Sequence, residues 1–253
     1  MGFYERFQKM PKKCKSYLDK NVFLTLYQYE IKTGFKSRLQ IAWIIITLFL
    51  SLLFTLVNRN LEAINSLLTF FVFSGSIIAV VISSASISGE IGGIADSLLS
   101  KSVKRWEYLL SKFISQITIV SIVYFLIFAL VVWFLWNFEL LPNNLNYGNL
   151  FFIIALIGLV LVFFSSIGVF FSTIFSNTTH SFFAGITVWF LFIFLLMITN
   201  WEFLYSPFEI LRHFTQILEN SWDVEYWKLM LFYLGSPVIF FFVSLAFFYQ
   251  RDL

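Results

Sequence analysis

Fourteen carboxylates, two histidines and one cysteine are the groups in this sequence able to relay protons, hold a metal or act as nucleophiles. Their positions exclude most of that chemistry. No Asp, Glu, Lys, Arg or His falls within six apolar stretches, 39–57, 67–87, 114–136, 150–175, 181–199 and 229–249. An ionisable group at mid-membrane is costly and is usually kept for proton relay or ion coordination. Six stretches without one argue against a proton-coupled carrier, a charged pore and an intramembrane protease of the metal or carboxylate type. Cys14 stands alone, so no disulfide framework forms. The sequence therefore predicts no catalytic residue, metal or cofactor held by the chain itself.

The six stretches are the elements that must position everything else. Hydrophobic residues make up 59% of the 253 positions and charged residues 12%, against about 25% charged in a soluble domain; mean hydropathy is +0.84. A bilayer core of about 30 Å takes roughly 20 apolar helical residues, which each stretch approaches or exceeds. The expected fold is all-α: a polytopic membrane protein of six transmembrane helices. Fourteen Lys and Arg lie in 1–38, 88–113 and the C-terminal end, and three (Arg59, Arg212, Lys228) in the alternate loops. The positive-inside bias places both termini in the cytoplasm and 58–66, 137–149 and 200–228 outside. His180 and His213 then lie on opposite sides and cannot share a metal. The basic residues adjoin a membrane span and suit anionic lipid headgroups, so nucleic acid is not an expected partner. The first apolar run starts too late and is too long for a secretory signal, and Arg6 breaks the myristoylation pattern begun by Met1-Gly2.

Small polar residues punctuate two spans: Ser83, Ser84, Ser86 and Ser88 close the second, and Ser165, Ser166 and Gly168 interrupt the fourth. They suit close helix packing, with a polar substrate path as the lesser reading. Ser176 to His180 form a polar turn that makes spans four and five an antiparallel pair.

Three amphipathic segments lie outside the spans. In 88–101, Ile91, Ile94, Ala95, Leu98 and Leu99 recur at i, i+3, i+4, i+7, i+8, an apolar stripe on a three-turn helix. Glu90 at its start and Lys101 at its end suit the helix dipole. Gly92 and Gly93 weaken it, so it needs a surface to hold it: the inner leaflet, or a groove on a cytoplasmic protein. From 104 to 113 a basic helical approach leads into the third span. Segment 21–38, with Phe23, Leu24, Leu26, Tyr27, Ile31 and Phe35 among Glu30, Lys32, Lys36 and Arg38, suits a helix in the headgroup layer. Outside, Ser206-Pro207-Phe208-Glu209 reads as a capping box with Pro at the first helical position. Ile210, Leu211, Phe214, Ile217 and Leu218 follow at helical spacing, forming a helix that caps the bundle or gates an exit path.

These residues carry a resemblance. The run 88–113, with Gly89-Glu90, Leu98-Leu99-Ser100, Val103, Arg105 and Leu109-Leu110-Ser111-Lys112-Phe113, resembles the cytoplasmic loop of ABC-2 type ABC transporter permeases. Tyr29-Glu30-Ile31, Ser206-Pro207-Phe208-Glu209 and the ending Phe248-Tyr249-Gln250-Arg251-Asp252-Leu253 agree in order and topology. Ser102 and Ile94 depart from the family's frequent Pro and Thr. The resemblance implies a permease domain over 39–253 preceded by a basic segment, 1–38, with its interfacial helix at Tyr29 and Glu30. The loop helix 90–100 would be a coupling helix, docking through Glu90, Ile91, Ile94, Ala95, Leu98 and Leu99 on a separate ATP-binding subunit. No Gly-x-x-x-x-Gly-Lys-Ser/Thr occurs in the chain, so ATP and Mg are expected on that partner. Two permease subunits, identical or different, with two ATPases would form an exporter in a prokaryotic plasma membrane, with Ser206, Pro207, Phe208 and Glu209 at its outer gate. The alternative is a non-transporting scaffold that uses the same loop to hold a cytoplasmic partner.

Overall fold

A computed structural model describes residues 22–58, 60–90, 103–142, 145–195, 206–221 and 226–250. Among them regular structure is helical: α1 (Val22–Gly34), α2 (Arg38–Asn58), α3 (Leu61–Ser84), α4 (Arg105–Asn137), α5 (Tyr147–Ile174), α6 (Thr178–Phe190), α7 (Pro207–Arg212), α8 (Phe214–Leu218) and α9 (Tyr226–Gln250). The chain is an all-α polytopic membrane protein. Five helices (α2, α3, α4, α5 and α9) are long and apolar enough to cross a bilayer. The sixth apolar stretch forms α6, which continues as a π-helical segment, Leu191–Leu195. Residues 196–205 and the loop-helix residues Ile91, Ile94, Ala95, Leu98 and Leu99 lie outside the described residues.

Local chemistry sets the boundaries. Ser37 Oγ accepts the Gln40 N–H at the start of α2, a side-chain cap for an otherwise unsatisfied donor. The segment expected to be helical over 21–38 ends at Gly34, where a Cβ would meet Ile119 Cδ1 at 2.5 Å and Gln40 Oε1 at 2.9 Å; glycine lets the end of α1 lie against α4. α3 begins at Leu61, six residues before the apolar window, so the expected loop 58–66 shrinks to a tight turn. Glu62 in its first turn favours the helix dipole, and Asn58 Nδ2 donates to Ser66 Oγ across the turn. Asn177 caps α6 by accepting the Thr179 N–H, so the polar turn between spans four and five is shorter than 176–180.

α5 is the spine. Its most apolar stretch is 72% buried by protein, against 22% for α9 and 28% for α2, whose outer faces are left apolar and uncovered. α3, α4, α6 and α9 all pack on α5. Small residues, several of them read from the sequence, make close contacts among α3, α5 and α6. Ser83 and Ser165 hydroxyls lie 3.0 Å apart, Ser172 Oγ accepts the Ile87 and Ser88 N–H groups, and Ser181 Oγ donates to the Ser84 carbonyl. A Cβ on Gly168 would stand 2.7 Å from both Ser83 Cβ and the Val80 carbonyl oxygen. Aromatic rings fill the wider gaps: Phe163 of α5 packs with Phe192, Phe232, Tyr233 and Phe240. Inside α9, Pro237 is accommodated beside Ser236, whose Oγ donates to the Phe232 carbonyl.

The Gly168 contact is with backbone and cannot yield cheaply. Gly168→Val is expected to cost about 1–3 kcal/mol through overpacking, read as a lower midpoint of unfolding in detergent. Gly235→Ala, where a Cβ meets nothing within 4 Å, is expected to leave that midpoint unchanged or raise it slightly.

Candidate functional site

At 33 residues, α4 is about 50 Å long, well beyond the hydrocarbon core. Its first two turns project at the basic end of the bundle, and there one face of the helix gathers three other elements. Arg105, Tyr108 and Lys112 lie at i, i+3 and i+7, one above another. Arg105 Nη1 donates to the Phe248 and Tyr249 carbonyls at 3.2 and 3.0 Å, a cation at the C-terminus of α9 where the helix dipole favours it. The Tyr108 ring stacks on Phe248 at 5.9 Å, and its hydroxyl donates to Glu90 Oε2 at 2.8 Å.

Lys112 is the centre of the arrangement. Its side chain is 2% exposed and its Nζ lies 2.9 Å from Glu30 Oε1 and 2.6 Å from Glu90 Oε1. Glu30 comes from α1 and is 13% exposed; Glu90 ends the turn that follows α3 and is 28% exposed. The turn is tied to α3 by Ser86 N–H to the Ser83 carbonyl and Ser88 Oγ–H to the Ser84 carbonyl. One ammonium thus fastens α1, the turn that ends at Glu90, and the start of α4. Tyr27 OH donates to Thr118 Oγ1 at 3.2 Å, a second clasp between α1 and α4. Burial pushes the Glu30 carboxyl above its ordinary value; Lys112 opposes this and the neighbouring Glu90 adds to it.

The expected sites fare differently. Glu30 does more than anchor a helix to headgroups: it is turned inward against α4. Tyr29, beside it, is half-buried. Glu90 joins Lys112 and Tyr108. At the other end, Ser206 is the N-cap of α7 with Pro207 at the first position, and Ser206 Oγ accepts the Phe208 N–H. The Glu209 carboxylate faces His213 at 3.3 Å and Arg212 at 3.8 Å, so the reciprocal half of the capping box is not made. The apolar face is buried as its spacing predicts, through Ile210, Leu211, Phe214 and Ile217, though the helix breaks at His213 into α7 and α8.

Two features carry no sequence signal. α3 is π-helical over Phe71–Gly75, as α6 is over Leu191–Leu195. Phe73 of the first segment lies 6.3 Å from Phe194 of the second and 6.4 Å from Phe208 of α7, and Trp189 Nε1 donates to Ser76 Oγ at 2.6 Å beside them. α7 therefore rests where α3 and the continuation of α6 depart from regular α-helix, a departure frequent at functional sites.

The buried charges are unequal. Lys112→Met leaves two carboxylates against each other without a counter-ion, and is expected to cost about 3–5 kcal/mol. Glu30→Gln removes a charge that burial already disfavours, keeps an acceptor, and leaves Lys112 its Glu90 partner; about 1 kcal/mol is expected. Denaturant unfolding in micelles, followed by tryptophan fluorescence, measures both.

Comparison with curated proteins gives no match. The family described as ABC-2 family transporter protein matches residues 8–253, nearly the whole chain. Its members are the membrane-spanning, non-catalytic components of transporters that generally work with an ATP-binding subunit. The chain belongs to the ABC-2 transporter family and is a transmembrane permease of an ABC transporter.

Proposed function

We propose that this permease is the membrane half of an ATP-driven exporter, and that the loop leaving Glu90 is the coupling helix through which a separate ATP-binding subunit moves it. What supports the reading is the attachment of that loop's first residue. Glu90 is hydrogen-bonded to Tyr108 and ion-paired with Lys112, which also holds Glu30 of α1. A push on the loop displaces the start of α4 and the interfacial helix together, because separating them would strand buried charge. The apolar stripe of Ile91, Ile94, Ala95, Leu98 and Leu99 supplies the face that seats on the ATPase.

In this reading the basic end is cytoplasmic, as the charge bias of the loops requires. ATP and Mg reside on the ATPase. Two permeases and two ATPases assemble in a prokaryotic plasma membrane, and closure of the ATPases drives the coupling helices inward. The outer gate is the segment Ser206, Pro207, Phe208 and Glu209, where Phe208 meets Phe73 of the α3 π segment. Spans without ionisable residues at depth hold no carboxylate or histidine to relay a proton, which supports work supplied by the partner.

The test is the pair Leu98→Asp and Leu99→Asp in a tagged full-length chain. Two charges on the apolar stripe are expected to strip the co-purifying ATPase and abolish ATP-dependent transport. An ATPase retained at wild-type stoichiometry by the double variant overturns the coupling-helix assignment.

A further inference from the structure

Beside the Lys112 cluster, between α1, α2, the end of α3, α4 and the start of α6, lies a cavity of roughly 660 Å³, a size suited to a small organic ligand. Glu30, Glu90 and Lys112 form one wall, and Gln40, Gln116 and Ser86 also line the cavity. These last three are 3%, 7% and 8% exposed. Gln40 Oε1, Gln116 Oε1 and Ser86 Oγ have no hydrogen-bond partner among the described residues. Buried polar atoms are rarely left so, since each forfeits its hydration. Here three converge on one cavity, and Gln116 stands one helical turn beyond Lys112.

The charges and the shape of the cavity specify a ligand class. Two carboxylates against one ammonium leave the wall a carboxylate in excess. The two unpaired amide oxygens are acceptors and call for N–H donors, and the Ser86 hydroxyl can accept as well as donate. Toward the outside the lining turns apolar, with Leu39 and Phe183 respectively 52% and 61% exposed. We infer that this cavity binds the primary ammonium group of an amphiphile, with the N–H donors on Gln40, Gln116 and Ser86 beside the Glu30–Glu90 wall and the hydrocarbon part leaving past Leu39 and Phe183. A membrane aminolipid and a transported amphipathic amine share this chemistry.

The test uses the full-length chain in phosphatidylcholine nanodiscs, without ATP or any partner, so its failure leaves the coupling proposal standing. The probe is a diazirine-bearing alkyl chain carrying a primary ammonium, compared with the same chain carrying trimethylammonium, which has no N–H to donate. Crosslinked peptides are mapped by mass spectrometry. The primary ammonium is expected to label segments 37–41 and 179–183 at least tenfold more than the quaternary one. Gln40→Leu with Gln116→Leu, which leaves the ion cluster intact, is expected to lower that labelling about tenfold. Equal labelling by the two headgroups, or undiminished labelling of the double variant, overturns the inference. Competition names the source: displacement by added phosphatidylethanolamine supports a membrane lipid, and displacement by single-chain amines alone supports a cargo site.

Discussion

A lysine sealed between two carboxylates is costly to build, because each ion gives up water before it gains a partner. Lys112 sits where that cost is contained. It lies just short of the apolar window of the third span, on the part of α4 that extends past the hydrocarbon core, and α1 lies over it. Both partners are within 3 Å, and Tyr108 takes up the second oxygen of Glu90. Such a cluster contributes little net stability compared with a well-packed apolar site, yet breaking it by removing one member is expensive. Its consequence is positional: α1, the turn after α3 and the start of α4 hold together or come apart together. Arg105, two turns away on the same face, adds the C-terminus of α9 to the set.

The rest of the bundle gives this cluster something to act on. α5 is buried on most of its surface, and α3 is seated against it through serine hydroxyls and a glycine that admit no side chain between them. A displacement at the end of α3 is therefore transmitted along a stiff interface and not absorbed in a soft one. Midway along, the same helix passes through its π segment, where Phe73 meets Phe194 and Phe208. α3 thus touches, beyond its end, the turn that leads to the proposed coupling helix and, at its middle, the proposed outer gate.

Much of this architecture was legible in the sequence, because burial in a bilayer leaves a coarse signature. Uncharged stretches mark the spans, serines and glycine mark the closest packing, and Ser206-Pro207 marks the start of a helix. The cluster itself was only half legible. Glu30, Glu90 and Lys112 each stand in a segment with motif character, but charge counting treats each ion alone and assigns lysines and arginines to the headgroups. Nothing in one sequence shows that residues 30, 90 and 112 meet; that pairing depends on α1 folding back over α4, which Gly34 permits. The stripe of Arg105, Tyr108 and Lys112 on an otherwise apolar helix was the available hint. The π segments had none, since their residues are ordinary helix-core types.

The central claim is that Lys112 makes three elements move as one. Hydrogen exchange of the full-length chain in nanodiscs, wild type against Lys112→Met, tests it directly. Amides of α1 (Val22–Gly34), of the turn 85–90 and of the first two turns of α4 are expected to lose protection together and to a similar degree, while α5 stays protected. Loss of protection in one of these segments alone, or in none, contradicts the account.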